Sequence, residues 1–212
     1  MKDLEALPLL IATNNKGKVK ELQDLLEDTG IALVTPAQIG IDLDVVEDGQ
    51  TYVENAAKKA VAFAQASGLI SLADDTGLEV DALDGAPGLY SARYGSRDGH
   101  PVKLSDAERR AILIKNLQDK LRPWTARFHA TIAIAIPNSG THLAEGFCEG
   151  EIISEERGTG GFGYDPIFLL SELGKTMAEL SIEEKNRLSH RARAVMNARE
   201  VLKALFKNAS QG

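Results

Sequence analysis

Apolar residues fall in short blocks separated by polar, glycine-bearing turns, and strand-like blocks alternate with helix-like ones. Pro8-Leu9-Leu10-Ile11-Ala12 reads as a buried strand. It runs into Thr13-Asn14-Asn15-Lys16-Gly17-Lys18 and then an amphipathic helix from about Val19 to Asp28, with Val19, Leu22, Leu25 and Leu26 on one face. Ile31 to Val34 is a short second strand closed by Thr35-Pro36. Thr51 and Glu54 make a capping box that opens a long helix over roughly Tyr52 to Ala66. The apolar run Leu69 to Ala73 feeds into Asp74-Asp75-Thr76-Gly77, the pattern of a buried strand that ends abruptly in a polar turn. Leu78 to Leu83 alternates like a half-exposed strand, and Gly85 to Pro101 is a long loop. Ser105 and Glu108 cap a helix to about Leu121, with Ile112, Leu113 and Leu117 as its apolar face. Phe128 to Ile136 alternates and is β-branched, and His142 to Ile153 adds one or two more strands in a hairpin-like region. Ser181 and Glu184 cap a further helix. From Ser189 a last helix runs to about Phe206, with Val195, Met196, Arg199, Leu202 and Phe206 at core-like spacing.

Length and composition narrow the class. The 212 residues, 43% hydrophobic and 26% charged, suit a soluble globular domain with a sizeable core. A net charge of −7 argues against a broad nucleic-acid or anionic-membrane surface. Cys148 is the only cysteine, which excludes an intrachain disulfide and a thiolate metal cluster. The apolar run Leu7 to Ala12 is too short for a signal segment or a membrane span, so a cytoplasmic setting is expected.

Several stretches carry chemistry. In an open α/β sheet ligands sit at the carboxyl ends of strands, where Asp74 and Asp75 fall. Neighbours on extended chain point opposite ways, so one of the pair faces a ligand; a solvated turn would read the same way. Thr13 to Lys18, a polar loop between strand and helix, is a place where amides and ammonium groups face phosphate, although it lacks the Walker A spacing. Arg157-Gly158-Thr159-Gly160-Gly161-Phe162-Gly163-Tyr164-Asp165-Pro166 lets backbone approach a planar ligand, and Phe162 and Tyr164 offer stacking surface. Ser189-His190-Arg191 places basic residues at a helix N-terminus, against the dipole, and with Lys185 they suggest a bound anion or keto group. The sum is acidic residues for a divalent cation, lysines for phosphate, and a glycine-aromatic loop with His-Arg for a base.

With these motifs in order, the sequence resembles the inosine/xanthosine triphosphate pyrophosphatase family. The likeness rests on Ala12-Thr13-Asn14-Asn15-Lys16-Gly17-Lys18, Glu47-Asp48-Gly49-Gln50-Thr51 with Glu54-Asn55-Ala56 and Lys59, Ala73-Asp74-Asp75-Thr76-Gly77-Leu78, Gly85 to Tyr94, Gly161-Phe162-Gly163-Tyr164-Asp165-Pro166, and Lys185-Asn186 with Ser189-His190-Arg191. It covers nearly the whole chain. Asn14 stands where the family usually has glycine, and Thr76 where serine is common.

The resemblance implies an elongated α/β fold over residues 1–212, a single domain of two lobes, with a mixed twisted sheet flanked by helices and the active cleft between the lobes. It implies a homodimer that takes purine nucleoside triphosphates, with no nucleic-acid or membrane partner. The activity implied is Mg²⁺-dependent hydrolysis of ITP, dITP and XTP to the monophosphate and pyrophosphate, which keeps deaminated purines out of DNA and RNA. Glu47 and Asp75 are the expected metal carboxylates, since Mg²⁺ prefers oxygen ligands, and Asp75 is the expected general base. Lys18 and Lys59 are expected on the phosphates with Thr13, Asn14, Asn15, Lys16, Gly17 and Thr76, while Asp74 orients them. Phe162 is expected to stack on the base, with Gly163, Tyr164, Asp165 and Lys185 around it and His190 or Arg191 donating to its keto oxygen. Three rivals stand beside this reading. Asp75-Thr76-Gly77 spells an aspartic-protease triplet, but a second copy is missing. A non-catalytic nucleotide sensor and a pyrophosphatase for modified pyrimidine nucleotides are the others.

Overall fold

The computed structural model of the chain describes residues 8–96 and 104–209. Among them the strands form one mixed sheet in the order β2-β1-β3-β5-β6-β7-β8, with β4 added on β3, and helices flank it. The strands are β1 (Leu9–Ile11), β2 (Leu33–Val34), β3 (Ser71–Val80), β4 (Pro87–Gly88), β5 (Thr125–Ala135), β6 (Thr141–Ile152), β7 (Phe168–Leu170) and β8 (Lys175–Thr176). The helices are α1 (Lys16–Leu26), α2 (Tyr52–Ser67), α3 (Asp106–Leu117), α4 (Ile182–Leu188) and α5 (His190–Ala209). Residues 136–140 alone join β5 to its sheet neighbour β6, too short for a parallel crossover, so the two form a hairpin. No helix among the described residues is long and apolar enough to cross a membrane.

The chain divides into two compact units. The first draws on Met1–Asp75, Ala130–Gly146 and Arg191–Gly212. Here β1 lies parallel to both β2 and β3. Its alternate residues serve two cores. Leu9 and Ile11 pack with Leu22 and Leu26 of α1 and with Val195, Ala198 and Leu202 of α5. Leu10 and Ala12 pack with Ala56, Ala60, Phe63 and Ala64 of α2. A strand covered on both faces must be apolar at every position, which is why Leu9 to Ala12 shows no alternation. Burying each such large side chain contributes roughly 1.5–3 kcal/mol, more than any difference in local propensity along the strand.

The second unit draws on Thr76–His129 and Phe147–His190 and is antiparallel where its strands meet: β4 on β3, and β7 on both β6 and β8. Its core is one-sided. Leu78, Val80, Ala126, Phe128, Cys148, Ile152 and Phe168 pack beneath Leu113 and Leu117 of α3. The intervening positions are polar, and Arg127 Nε donates to Glu79 Oε2 at 2.7 Å.

Four local expectations change. The strand predicted to stop at Ala73 instead runs unbroken from Ser71 through the two aspartates to Val80, because Leu78 and Glu79 find a partner in β4. The first helix starts at Lys16 rather than Val19, since Asn15 caps it by accepting from the amides of Gly17 and Lys18 at 2.9 and 3.1 Å. The helix expected to reach Leu121 ends at Leu117, its last buried residue; Leu121 is 93% exposed. Met196, assigned to the core, is exposed, one position off the stripe made by Val195, Ala198 and Leu202. The Gly95–Val102 stretch of the long loop lies mostly outside the described residues.

Candidate active site

In the first unit β3 overruns β1. Ile11 pairs with Leu72, and Asp74 and Asp75, two and three residues further along β3, lie past the end of β1 where the Thr13–Asn15 loop leads into α1. Their side chains take opposite faces of the sheet. Asp74 follows Leu72 onto the side of α1 and α5, and Asp75 follows Ala73 onto the side of α2.

Asp74 is fully buried among cations. Its Oδ2 accepts from Arg191 Nε at 3.0 Å and lies 3.3 Å from Lys18 Nζ. Arg191, itself 2% exposed, also pairs through Nη1 with Glu21 of α1. Burial pushes the Asp74 carboxyl upward, but Lys18, Arg191 and Lys59 outweigh it and hold the group far below the carboxylate range. Burial is also the largest influence on Lys18, whose pKa falls despite Asp74. Asp74 Oδ1 is buried with no hydrogen-bond partner among the described residues.

Asp75 behaves in the opposite way. Burial raises its pKa, and the nearby charge of Glu47 raises it further, against Lys18, Lys59 and a hydrogen bond from Asn55. Asn55, buried on α2, also accepts from Gly49 N at 2.8 Å, which fixes the amide that touches Asp75. One turn later Lys59 pairs with Glu47, from the extended stretch before α2. Burial disfavours the Lys59 charge, but Asp74 and Glu47 more than compensate, so its pKa rises. Two adjacent carboxylates in one strand are thus driven apart: Asp74 is locked as an anion, and Asp75 is the more basic.

Glu47 and Asp75 also fit a hard divalent cation. Mg²⁺ is held by one or two carboxylates with water and phosphate oxygens rather than by a full protein cage. Asp75 destabilised as an anion by burial and by Glu47 is the pairing that a cation would relieve.

In the second unit the loop of residues 157–166 is tied down along its length. Gly160 N donates to Ala178 O at 3.0 Å, and Phe162 N to Asp165 Oδ2 at 3.0 Å. That same Oδ2 accepts from Lys185 Nζ at 2.8 Å, and Lys185 sits 5.5 Å from the centre of the Phe162 ring. The Phe162 ring, half-buried, and the Asp165–Lys185 pair form one apolar and polar cluster. His190 opens α5 with its ring stacked on Phe128, centroids 4.7 Å apart.

Residues 9–201 match the Ham1 family. The chain belongs to the Ham1 family. Among its relatives in that family, the dITP/XTP pyrophosphatase of Desulforamulus reducens is 49% identical over 94% of this chain and 98% of its own length. That of Thermus thermophilus is 44% identical over 94% of each chain. The structure of a HAM1 protein from Coxiella burnetii matches with a TM-score of 0.79 at 38% identity, covering 95% of this chain and 99% of that one.

Within the Ham1 frame the expected residues sort by unit. The first unit gathers Glu47, Lys59, Asp75, Lys18 and Arg191 around Asp74, and the second gathers Phe162, Asp165 and Lys185. Asn14 and Lys16 are exposed beside the capped helix start, and Thr76 follows Asp75 along β3. Positive φ at non-glycine positions is confined to Asp84 and Asn138 among the described residues, so Asn14 needs no glycine-like conformation. Three expectations change. The amides of Asn15, Gly17 and Lys18 are taken by Thr13 Oγ1 and Asn15 Oδ1, so they are not open to a phosphate. Tyr164 offers no stacking face: its ring is in the core and its hydroxyl donates to Ser91 O at 2.9 Å. Arg191 has two of its nitrogens engaged by Asp74 and Glu21, because a buried guanidinium needs carboxylates. Sequence reasoning missed Glu21 and the bond from Asn55 to Asp75. Each lies one helical turn from an expected lysine, Lys18 and Lys59, which is the signal that could have found them.

Proposed function

We propose that this Ham1-family chain hydrolyses non-standard purine nucleoside triphosphates, namely dITP, ITP and XTP, to the nucleoside monophosphate and pyrophosphate. The observation that carries the reading is the divided pair on β3: a basic, partly shielded Asp75 beside an Asp74 that anchors Lys18 and Arg191. Water attack on a phosphate needs both a proton acceptor and fixed positive charge; Asp75 is suited to the first, and Asp74 anchors the cations that supply the second.

In this reading Asp75 takes a proton from a water whose oxygen bonds to the α-phosphorus. The bond from that phosphorus to the bridging oxygen breaks, and pyrophosphate leaves with the electron pair. Lys18 and Lys59 hold the phosphates and offset the charge that gathers on the leaving group, with Thr13, Asn14, Asn15, Lys16 and Gly17 along the entry loop and Thr76 beside the base. Asp74 and Arg191 keep Lys18 in place. Mg²⁺, held by Glu47 and Asp75, would neutralise phosphate charge and orient the reacting oxygens.

Phe162 stacks on the purine, Gly163 gives it room, and Asp165 with Lys185 meets its polar edge. His190 donates toward the keto oxygen. Adenine offers an amino group there, and each unsatisfied buried partner costs about 1–3 kcal/mol, so ATP is refused by roughly ten to a few hundred-fold. The enzyme works as a cytoplasmic homodimer in this reading. The test is pyrophosphate release from dITP, XTP, GTP and ATP with Mg²⁺. Fast release from dITP and XTP alone is expected; equal rates on all four would refute the base selection.

Gly161 gives a second check. It has φ +74°, and a Cβ there would fall on the Asp165 carboxylate with Lys185 Nζ 2.9 Å away. Strain of about 1–3 kcal/mol is expected in Gly161→Ala, relieved by displacing the Asp165–Lys185 pair, which raises KM for dITP. An unchanged KM would remove the Asp165–Lys185 pair from the base site.

A further inference from the structure

α3 touches the glycine-aromatic loop through side chains that neither the motifs nor the proposed chemistry accounts for. Arg110 is 9% exposed, an unusual place for arginine. Its Nε and Nη2 bind both oxygens of Glu156 at 2.8 Å each, and its Nη1 donates to Gly163 O at 2.7 Å. One turn earlier, Asp106 Oδ2 accepts from Gly163 N at 2.8 Å. Both backbone groups of Gly163 are therefore held by side chains of one helix. Gly163 has φ +62° with open space where a Cβ would stand, so glycine serves the turn there and leaves it without a side chain to pack. On either side of it are Phe162, over which Lys185 sits, and Tyr164, whose hydroxyl is tied to Ser91.

We infer that Arg110 and Asp106 are positioning residues for base recognition: α3 clamps Gly163 and thereby sets the Phe162 ring and the Asp165–Lys185 pair at the height of the purine. The inference rests on the proposed nucleotide reading and deepens it. Neither residue touches the reacting atoms. Glu156 lies half-exposed and serves the clamp by aligning the guanidinium, whose hydrogen bonds and charge lower the pKa of the Glu156 carboxyl. The helix start does not depend on the clamp, because Ser105 and Glu108 cap α3 reciprocally. Loss of the clamp loosens the loop without unwinding the helix.

The test compares Arg110→Met and Asp106→Ala with the parent protein, measuring KM and kcat for dITP and inhibition by pyrophosphate, which carries no base. The expected result is a KM raised about tenfold in each variant, with kcat within about twofold and the pyrophosphate inhibition constant unchanged; tenfold corresponds to about 1.4 kcal/mol. Asp106→Ala keeps the inference testable should Arg110→Met fold poorly, since Asp106 is part-exposed and its cap remains. An unchanged KM for dITP overturns the inference. So does a parallel rise in KM and in the pyrophosphate constant, which would mean a general loosening of the protein. A parent protein inactive on dITP and XTP would instead overturn the nucleotide reading itself, so the two failures are distinguishable.

Discussion

Asp75→Asn is expected to lower kcat for dITP by about 10²–10⁴-fold, the usual contribution of a positioned general base, while dITP still binds. The amide keeps the shape and the hydrogen bond from Asn55 but cannot take a proton from water. Burial and the Glu47 charge raise the pKa of the metal-free Asp75 carboxyl, and Mg²⁺ would draw it down again, so activity rises as the carboxyl ionises and the acid limb of the rate profile moves to lower pH as Mg²⁺ is raised. Steady-state rates across acid pH on the parent protein, with Asp75→Asn and Glu47→Gln beside it, check this. Glu47→Gln removes one of the two proposed Mg²⁺ carboxylates, so more Mg²⁺ is needed to reach the half-maximal rate. A variant within about tenfold of the parent, below the lower end expected for a base, would give the proton to another group.

Asp74→Asn is expected to act on stability. Asp74 is fully buried, and its partners Lys18 and Arg191 lose a counter-charge in the variant. Removing one member of a buried ionic cluster typically costs about 3–5 kcal/mol, because the remaining charges stay desolvated. The partner Glu21 is more exposed, so Glu21→Gln costs less. The pH dependence has a definite sign. The folded Asp74 carboxyl lies below its ordinary value of 3.8, so its stabilisation is fully present above that value and is lost as pH falls toward the depressed one. Urea denaturation at neutral and acid pH would show the parent protein converging on Asp74→Asn as the acid is approached. A neutral-pH difference under about 1 kcal/mol would mean that the cluster is solvated and worth no more than a surface pair.

The sequence held most of the element order, because burial on two sheet faces leaves long apolar runs and capping residues are local. Leu9 to Ala12 and the Ser105–Glu108 and Ser181–Glu184 boxes are legible for that reason. The course of β3 was not. Asp-Asp-Thr-Gly is turn-like in isolation, and pairing of β3 with its neighbours in the sheet, β4 among them, keeps the chain extended. The same non-local origin hid the roles of Arg191 and Tyr164. A guanidinium at a helix start suggests a ligand until Asp74, 117 positions away, is brought to it. Tyr164, 73 positions from Ser91, reads as a stacking residue until its hydroxyl finds that carbonyl. The Thr51 cap shows a smaller failure of local reading: Thr51 accepts from Glu54 N, but the Glu54 carboxylate returns to Gln50 N rather than to the cap. What pattern did reveal was residue type at the candidate site, since the proposed chemistry needs carboxylates, lysines and a glycine-aromatic loop wherever the fold places them.

In the proposed reaction Asp75 directs water at the α-phosphorus, with pyrophosphate as the leaving group. Hydrolysis of dITP in heavy-oxygen-labelled water with Mg²⁺, followed by mass analysis of both products, tests it most directly. The expected result is one labelled oxygen in the nucleoside monophosphate and unlabelled pyrophosphate. Label in the pyrophosphate, or orthophosphate as the first product, would place the attack on another phosphorus and contradict the account.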